Sequence, residues 1–149
     1  MYKKILMPVE NSPYDDAIVD HVRVLAKVCN SQIVLMHVAD GWAARNIGQL
    51  KLRESEEMKK DRDYIEMLSA SLESDGLDAE ALLASGDPAS EIAQAAAREG
   101  CDLIAMSTHG HKFIGDMIHG SVSHTVRHSS EIPVLLVRGN SKGRGGPHK

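Results

Sequence analysis

Ser107, Gly110, Lys112, Gly120 and Ser121 fall in one connection that follows the short apolar run Asp102–Met106, a combination of residue types suited to holding a phosphate. Glycine lets an anion approach the backbone closely. Gly120-Ser121 stands just before the apolar helical pattern Val122 to Val126, so backbone N–H groups and the positive end of a helix dipole would face that anion. The connection runs for about fourteen residues, where strand-to-helix loops usually take roughly two to six. Loops of that length are usually functional, and Lys112 reads either as a phosphate countercharge within this one or as a surface lysine.

Five of the eight histidines, His109, His111, His119, His124 and His128, crowd the same region and raise the question of a metal. His124 and His128 are four apart on one helix face, the spacing of a two-ligand zinc arm. No cysteine or acid at ligand spacing completes the set, and the glutamate of His-Glu-x-x-His is missing. No metal held by protein side chains is expected, and the histidines read as surface, loop-lining or pH-sensing groups. Other chemistries fail on missing parts. There is no Gly-x4-Gly-Lys-Ser/Thr loop, no Gly-x-Ser-x-Gly elbow, no activated cysteine, and no Gly-x-Gly-x-x-Gly after the first strand. The expectation is no catalytic residue and at most slow incidental hydrolysis.

The elements that would position these residues follow from periodicity. A strand over about Lys3 to Val9 leads to Ser12, a helix cap with Pro13 at the first helical position. Asp15 and Asp16 suit the positive end of that helix, and Ile18, Val22, Leu25 and Cys29 recur on its apolar face. A second strand covers about Gln32 to Val38, and a long amphipathic helix about Leu50 to Ser74, with Met58, Ile65, Leu68 and Leu72 inward. Leu77 to Ser85 reads as a third strand. Asp87-Pro88 opens another helix that runs to Gly100. Asp102 to Met106 and Pro133 to Val137 complete five strands. Alternating strands and helices with apolar strands predict an α/β fold, a Rossmann-like or flavodoxin-like parallel sheet with helices on both faces. Its ligand crevice should lie at the carboxyl ends of the strands.

At 149 residues the chain makes one domain, able to bury roughly two thirds of its unfolded surface. Cys29 and Cys101 form no Cys-x-x-Cys pair and read as small core residues in a reducing compartment. There is no hydrophobic signal core and no run of about eighteen apolar residues, which predicts a cytoplasmic chain without a membrane partner. A net charge of −4 and 3% aromatics argue against nucleic acid. Four of the 17 basic residues lie in 138–149 and none of the 21 acids does. Residues 139–149, glycine-rich and basic, therefore read as a flexible tail behind a domain of residues 1–138.

Gly110, nine residues, then Gly120-Ser121 resembles the nucleotide loop of the universal stress protein family, Gly-x2-Gly-x9-Gly-Ser/Thr, with Ser107 in place of its first glycine. The resemblance extends over nearly the whole chain: Tyr2 to Ser12 is similar to the family's opening strand, Ile33 to Asp40 to its second, and Ile132 to Arg138 to its last. It implies the strand order 3-2-1-4-5 and an adenine nucleotide, ATP with Mg2+, as ligand. Carried over position by position, it puts Pro8, Val9 and Glu10 beside the adenosine and Val38 at adenine. It puts Met106, Ser107, Gly110, Gly120, Ser121 and Val122 on the ribose and phosphate side. Glu10 departs from the family's usual aspartate by one methylene. Ser107 either crowds the sugar-phosphate or supplies it with a hydroxyl. The implied function is regulatory, in the stress response, with a homodimer through Pro133–Val137 and an unidentified protein partner. The alternative is a dimeric interaction module of the same family that binds no nucleotide.

Overall fold

Apolar runs of strand length alternate with runs of helical period, and the structure follows that alternation. The computed structural model describes residues 1–40, 51–108, 124–128 and 130–139. Strand β1 spans Lys4–Pro8, helix α1 Asp15–Cys29, β2 Gln32–Asp40, α2 Lys51–Ser74, β3 Asp78–Gly86, α3 Pro88–Arg98, β4 Leu103–Thr108 and β5 Val134–Arg138. Residues 124–128 are helical as well. The five strands form one sheet in the order β3-β2-β1-β4-β5, with parallel pairing throughout, which is the Rossmann-type order.

Alternation along the strands divides the core in two. Ile5, Met7 and Val9 of the first strand segment, with Ile33, Leu35, Leu103 and Ala105, pack under α1 and α2, where Ile18, Val22, Ile65 and Leu72 are buried. Leu6, Val34, Met36, Ile104 and Met106 face the other way, toward Ile92, Ala95 and Ala96 of α3 and Val126. The alanines of α3 allow that helix to lie close to the sheet. Each fully buried Leu or Ile contributes about 1.5–3 kcal/mol relative to exposure, so both faces are needed.

Helix ends follow local chemistry where the partners are local. Asp87 caps α3, its carboxylate accepting the Ser90 N–H at 3.0 Å, with Pro88 in the first turn. Asn30 ends α1 in the left-handed conformation at φ 57°, its N–H returning to the Ala26 carbonyl. The start of α1 differs from the sequence expectation. Ser12 Oγ does accept the Tyr14 N–H at 3.3 Å, but Pro13 and Tyr14 form a turn closed by the Asp15 N–H on the Ser12 carbonyl, and regular helix begins at Asp15. Of the two cysteines Cys101 is buried, whereas Cys29, at the last position of α1, is only half-buried.

Candidate functional site

In this strand order β1 sits between β2 and β4, and α1, which follows β1, and Val126, in the helical residues beyond β4, pack on opposite faces of the sheet. A crevice opens at such a switch point, at the carboxyl ends of the strands. Pro8, Val9 and Glu10 lie on its β1 side, Met106, Ser107 and Thr108 on its β4 side, and Val38 on the neighbouring β2. Val38 and Met106 share the face of the sheet covered by α3, where Pro8 also falls by alternation. Together they offer an apolar wall to a flat group.

Val9 is placed otherwise. Its side chain is buried beneath α1 and α2, its N–H donates to the Met36 carbonyl at 2.8 Å, and its carbonyl faces the His37 ring. Beyond it the loop folds around a carboxylate. Asp15, 1% exposed, accepts the backbone N–H groups of Glu10 at 2.9 Å, Asn11 at 2.8 Å and Ser12 at 3.2 Å. Asn11, at φ 66°, adopts the left-handed conformation that turns successive N–H groups toward one point. The first loop is thus an anion nest already filled by the protein's own acid.

Helix α2 grips this loop from the side. Tyr64 donates its hydroxyl to Asp15 Oδ2 at 2.6 Å, and Asn11 Nδ2 donates to Asp61 Oδ1 at 3.2 Å. His37 lies between α2 and the strand end: Nδ1 is 3.0 Å from the Val9 carbonyl and Nε2 3.0 Å from Asp61 Oδ2. Both partners are acceptors, so with Asp61 ionised both contacts are hydrogen bonds only when each ring nitrogen carries a hydrogen. Neither His37, Asp61 nor Tyr64 stands out in the sequence. Their spacing in the chain carries no signal, because the fold alone brings them together.

Ser107 points to the α1 side and donates to the Tyr14 carbonyl at 3.4 Å, a long bond. Next to it lies Gly139, buried, whose N–H donates to the Thr108 carbonyl. A Cβ on Gly139 would meet Ser107 Oγ at 2.9 Å and Tyr14 Cβ at 3.0 Å. Gly139, the first residue of the stretch read as a tail, is therefore packed against the domain. Gly110, Gly120, Ser121 and Val122, with Lys112, His109, His111 and His119, lie outside the described residues, as do 140–149.

His124 and His128 stack with ring centroids 4.3 Å apart, and His128 Nδ1 faces the His124 carbonyl at 2.9 Å. Among the described residues no three His, Cys, Asp or Glu side chains gather as a metal site, and no helix is long and apolar enough to cross a membrane. Burial pushes the Cys101 thiol up to about 11, which keeps it protonated and poorly nucleophilic.

A doubly wound α/β protein with its crevice between β1 and β4 is the class these features define. The model of the universal stress protein family matches residues 1–138, and the chain belongs to that family. It is similar to universal stress protein MJ0577 of Methanocaldococcus jannaschii, 30% identical over 158 aligned positions that take in 93% of this chain and 96% of the relative. The solved structure of MJ0577 superposes with a TM-score of 0.79 at 28% identity, covering 94% of this chain and 98% of that one. More distant structures share the fold. One is a universal stress protein from Archaeoglobus fulgidus in complex with dAMP, at TM-score 0.63, 16% identity and coverage of 91% and 98%. Another is a universal stress protein in complex with cAMP, at TM-score 0.68, 18% identity and coverage of 92% and 97%.

Proposed function

We propose that this chain binds an adenine nucleotide, ATP with magnesium in the first instance, and that occupancy regulates its stability and its choice of protein partner rather than fuelling turnover. The observation that carries the reading is the filled nest at the first loop. With the backbone N–H groups of residues 10–12 committed to Asp15, a second anion finds none of them open, and the proposal puts the phosphates on the β4 side, at Gly110, Gly120 and Ser121. The base then lies across the apolar wall of Pro8, Val38 and Met106, with Glu10 toward the ribose. Complexes of two proteins of this fold with dAMP and cAMP support the choice of an adenine ligand.

Magnesium fits as a passenger of the phosphates. It usually keeps its waters and takes one or two carboxylates besides phosphate oxygens. Asp15 accepts from four donors, and Glu10, the other carboxylate of this loop, would take that role. Magnesium would supply charge neutralisation. The sequence offers no motif that supplies a general base, and the proposal takes any hydrolysis as slow and incidental.

Homodimerisation through β5 belongs to the same proposal, with the protein working in the cytoplasm. Both β3 and β5 are edge strands, but β3 carries Asp78 and Glu80 whereas Val134–Val137 is uncharged and half-buried. An apolar edge of that kind is a template for pairing. The rival reading is a dimeric interaction module without a nucleotide. It draws on Glu10, one methylene longer than the family's aspartate, and on Ser107, whose hydroxyl is directed to Tyr14. Mass spectrometry of small molecules released on denaturing the purified protein separates the two. AMP, ADP or ATP near stoichiometry is expected; their absence, with no calorimetric signal for added ATP, leaves the interaction module.

A further inference from the structure

We infer that α2 is the positioning element of the crevice: Asp61 and Tyr64, acting through His37, Asn11 and Asp15, set the conformation of residues 9–12. The two side chains are three residues apart, hence neighbours on one helix face. Each holds a different part of the loop. Tyr64 fixes the carboxylate around which the N–H groups of residues 10–12 gather, and Asp61 holds the Asn11 amide at the tip of the turn. Through the His37 ring Asp61 also reaches the Val9 carbonyl, where the strand gives way to the loop.

The loop needs such a hold. Asn11 is left-handed, a conformation uncommon outside glycine though more open to asparagine than to most residues, and its amide bond to Asp61 helps to select it. Of the groups around His37, Asp61 comes from α2 and the Val9 carbonyl from the loop, while its register partner on β3 is the apolar Leu83. Replacing Asp61 would remove two contacts at once.

The geometric part of the inference stands without a ligand; its consequence for affinity rests on the nucleotide reading. If only a fraction of molecules holds residues 9–12 in the binding shape, the apparent dissociation constant rises in inverse proportion to that fraction. By linkage, a bound nucleotide must tighten the contacts of α2 with the loop.

The test uses Asp61→Asn and Tyr64→Phe in the full chain, at a temperature where both are fully folded. Amide hydrogen exchange at Glu10, Asn11 and Ser12 should quicken about ten-fold, the worth of roughly one hydrogen bond, with Ile5 and Leu6 unchanged. The dissociation constant for magnesium-ATP should rise by about the same factor. Nitrogen-15 shifts of the His37 ring should change in Asp61→Asn, since its Nε2 contact is with that carboxylate. Exchange at residues 10–12 that is unchanged, or that quickens only in step with Ile5 and Leu6, overturns the inference, since a purely structural role would act on the whole sheet. Faster loop exchange with an unaltered dissociation constant overturns its functional half. Should the natural protein bind no nucleotide, the proposed function fails while the exchange arm still decides the role of α2. If Asp61→Asn does not fold, Tyr64→Phe, which loses one hydroxyl, decides alone.

Discussion

Two carboxylates hold the two ends of β1, and they do so differently. At the amino end Asp102 accepts the Lys3 N–H at 2.9 Å and the Lys4 N–H at 3.0 Å, stitching the start of β4 to the start of β1. Among the described residues no hydrogen bond connects its side chain to a helix. At the carboxyl end Asp15 gathers three N–H groups and a tyrosine hydroxyl, and through Tyr64 it is joined to a helix 49 residues further along the chain. The amino end is a local seam between neighbouring strands. The carboxyl end is a joint between a loop and α2. Ligand crevices in open α/β sheets form at carboxyl ends, and the more elaborate bonding lies at that end here.

Breaking the joint should cost most. Asp15→Ala leaves three part-buried N–H groups and the Tyr64 hydroxyl without their acceptor, and unfolding in urea should show a loss of about 2–4 kcal/mol. Gly139→Ala tests the packing on the other side of the same joint, because the new methyl meets Ser107 and Tyr14 inside van der Waals distance. Its cost should be about 1–3 kcal/mol by the same assay. The seam should give the smallest effect, about 1 kcal/mol for Asp102→Ala near neutral pH.

The effect at Asp102 is also the one that depends on acid. Burial pushes the Asp102 carboxyl up, but the N–H groups of Lys3, Lys4 and Asp102 itself, with the chain's terminal ammonium, outweigh it and hold the group below the usual aspartate range. A depressed folded value contributes stability above the unfolded pKa, and that stability is lost as pH falls through the folded one. The stability difference between the natural protein and Asp102→Ala should therefore be full at neutral pH and shrink in that acid window. A difference that stays constant down to the acid transition would show that the seam does not depend on charge.

What the sequence disclosed was governed by distance along the chain. Asp87-Pro88 and its cap could be read because donor and acceptor are three residues apart, and the apolar runs of β1, β2 and β4 announced a buried parallel sheet. The strand order came from family resemblance and is the order found. Asp15 read only as an acid suited to a helix dipole, since its partner Tyr64 is distant in sequence, and the same distance hid His37 and Asp61. Gly139 was assigned to the tail because glycine-rich, basic composition looks solvated; its burial depends on Tyr14 and Ser107, which the fold delivers. Of the residues named for the site, Pro8, Val38 and Met106 lie on one face, whereas Val9 and Ser107 turn toward α1. Period-two alternation contained that distinction, which a motif read position by position did not use.

The central claim is an adenine nucleotide in the crevice with its phosphates on the β4 side. Titration calorimetry of magnesium-ATP into nucleotide-free protein, alongside Gly120→Val, tests it most directly. The account predicts one site per chain in the natural protein and none in Gly120→Val, with both variants unfolding in one cooperative transition. At ligand one hundred times above the dissociation constant, the natural protein alone should gain about 2.7 kcal/mol of stability. No heat of binding in the natural protein, or equal binding in Gly120→Val, would contradict it.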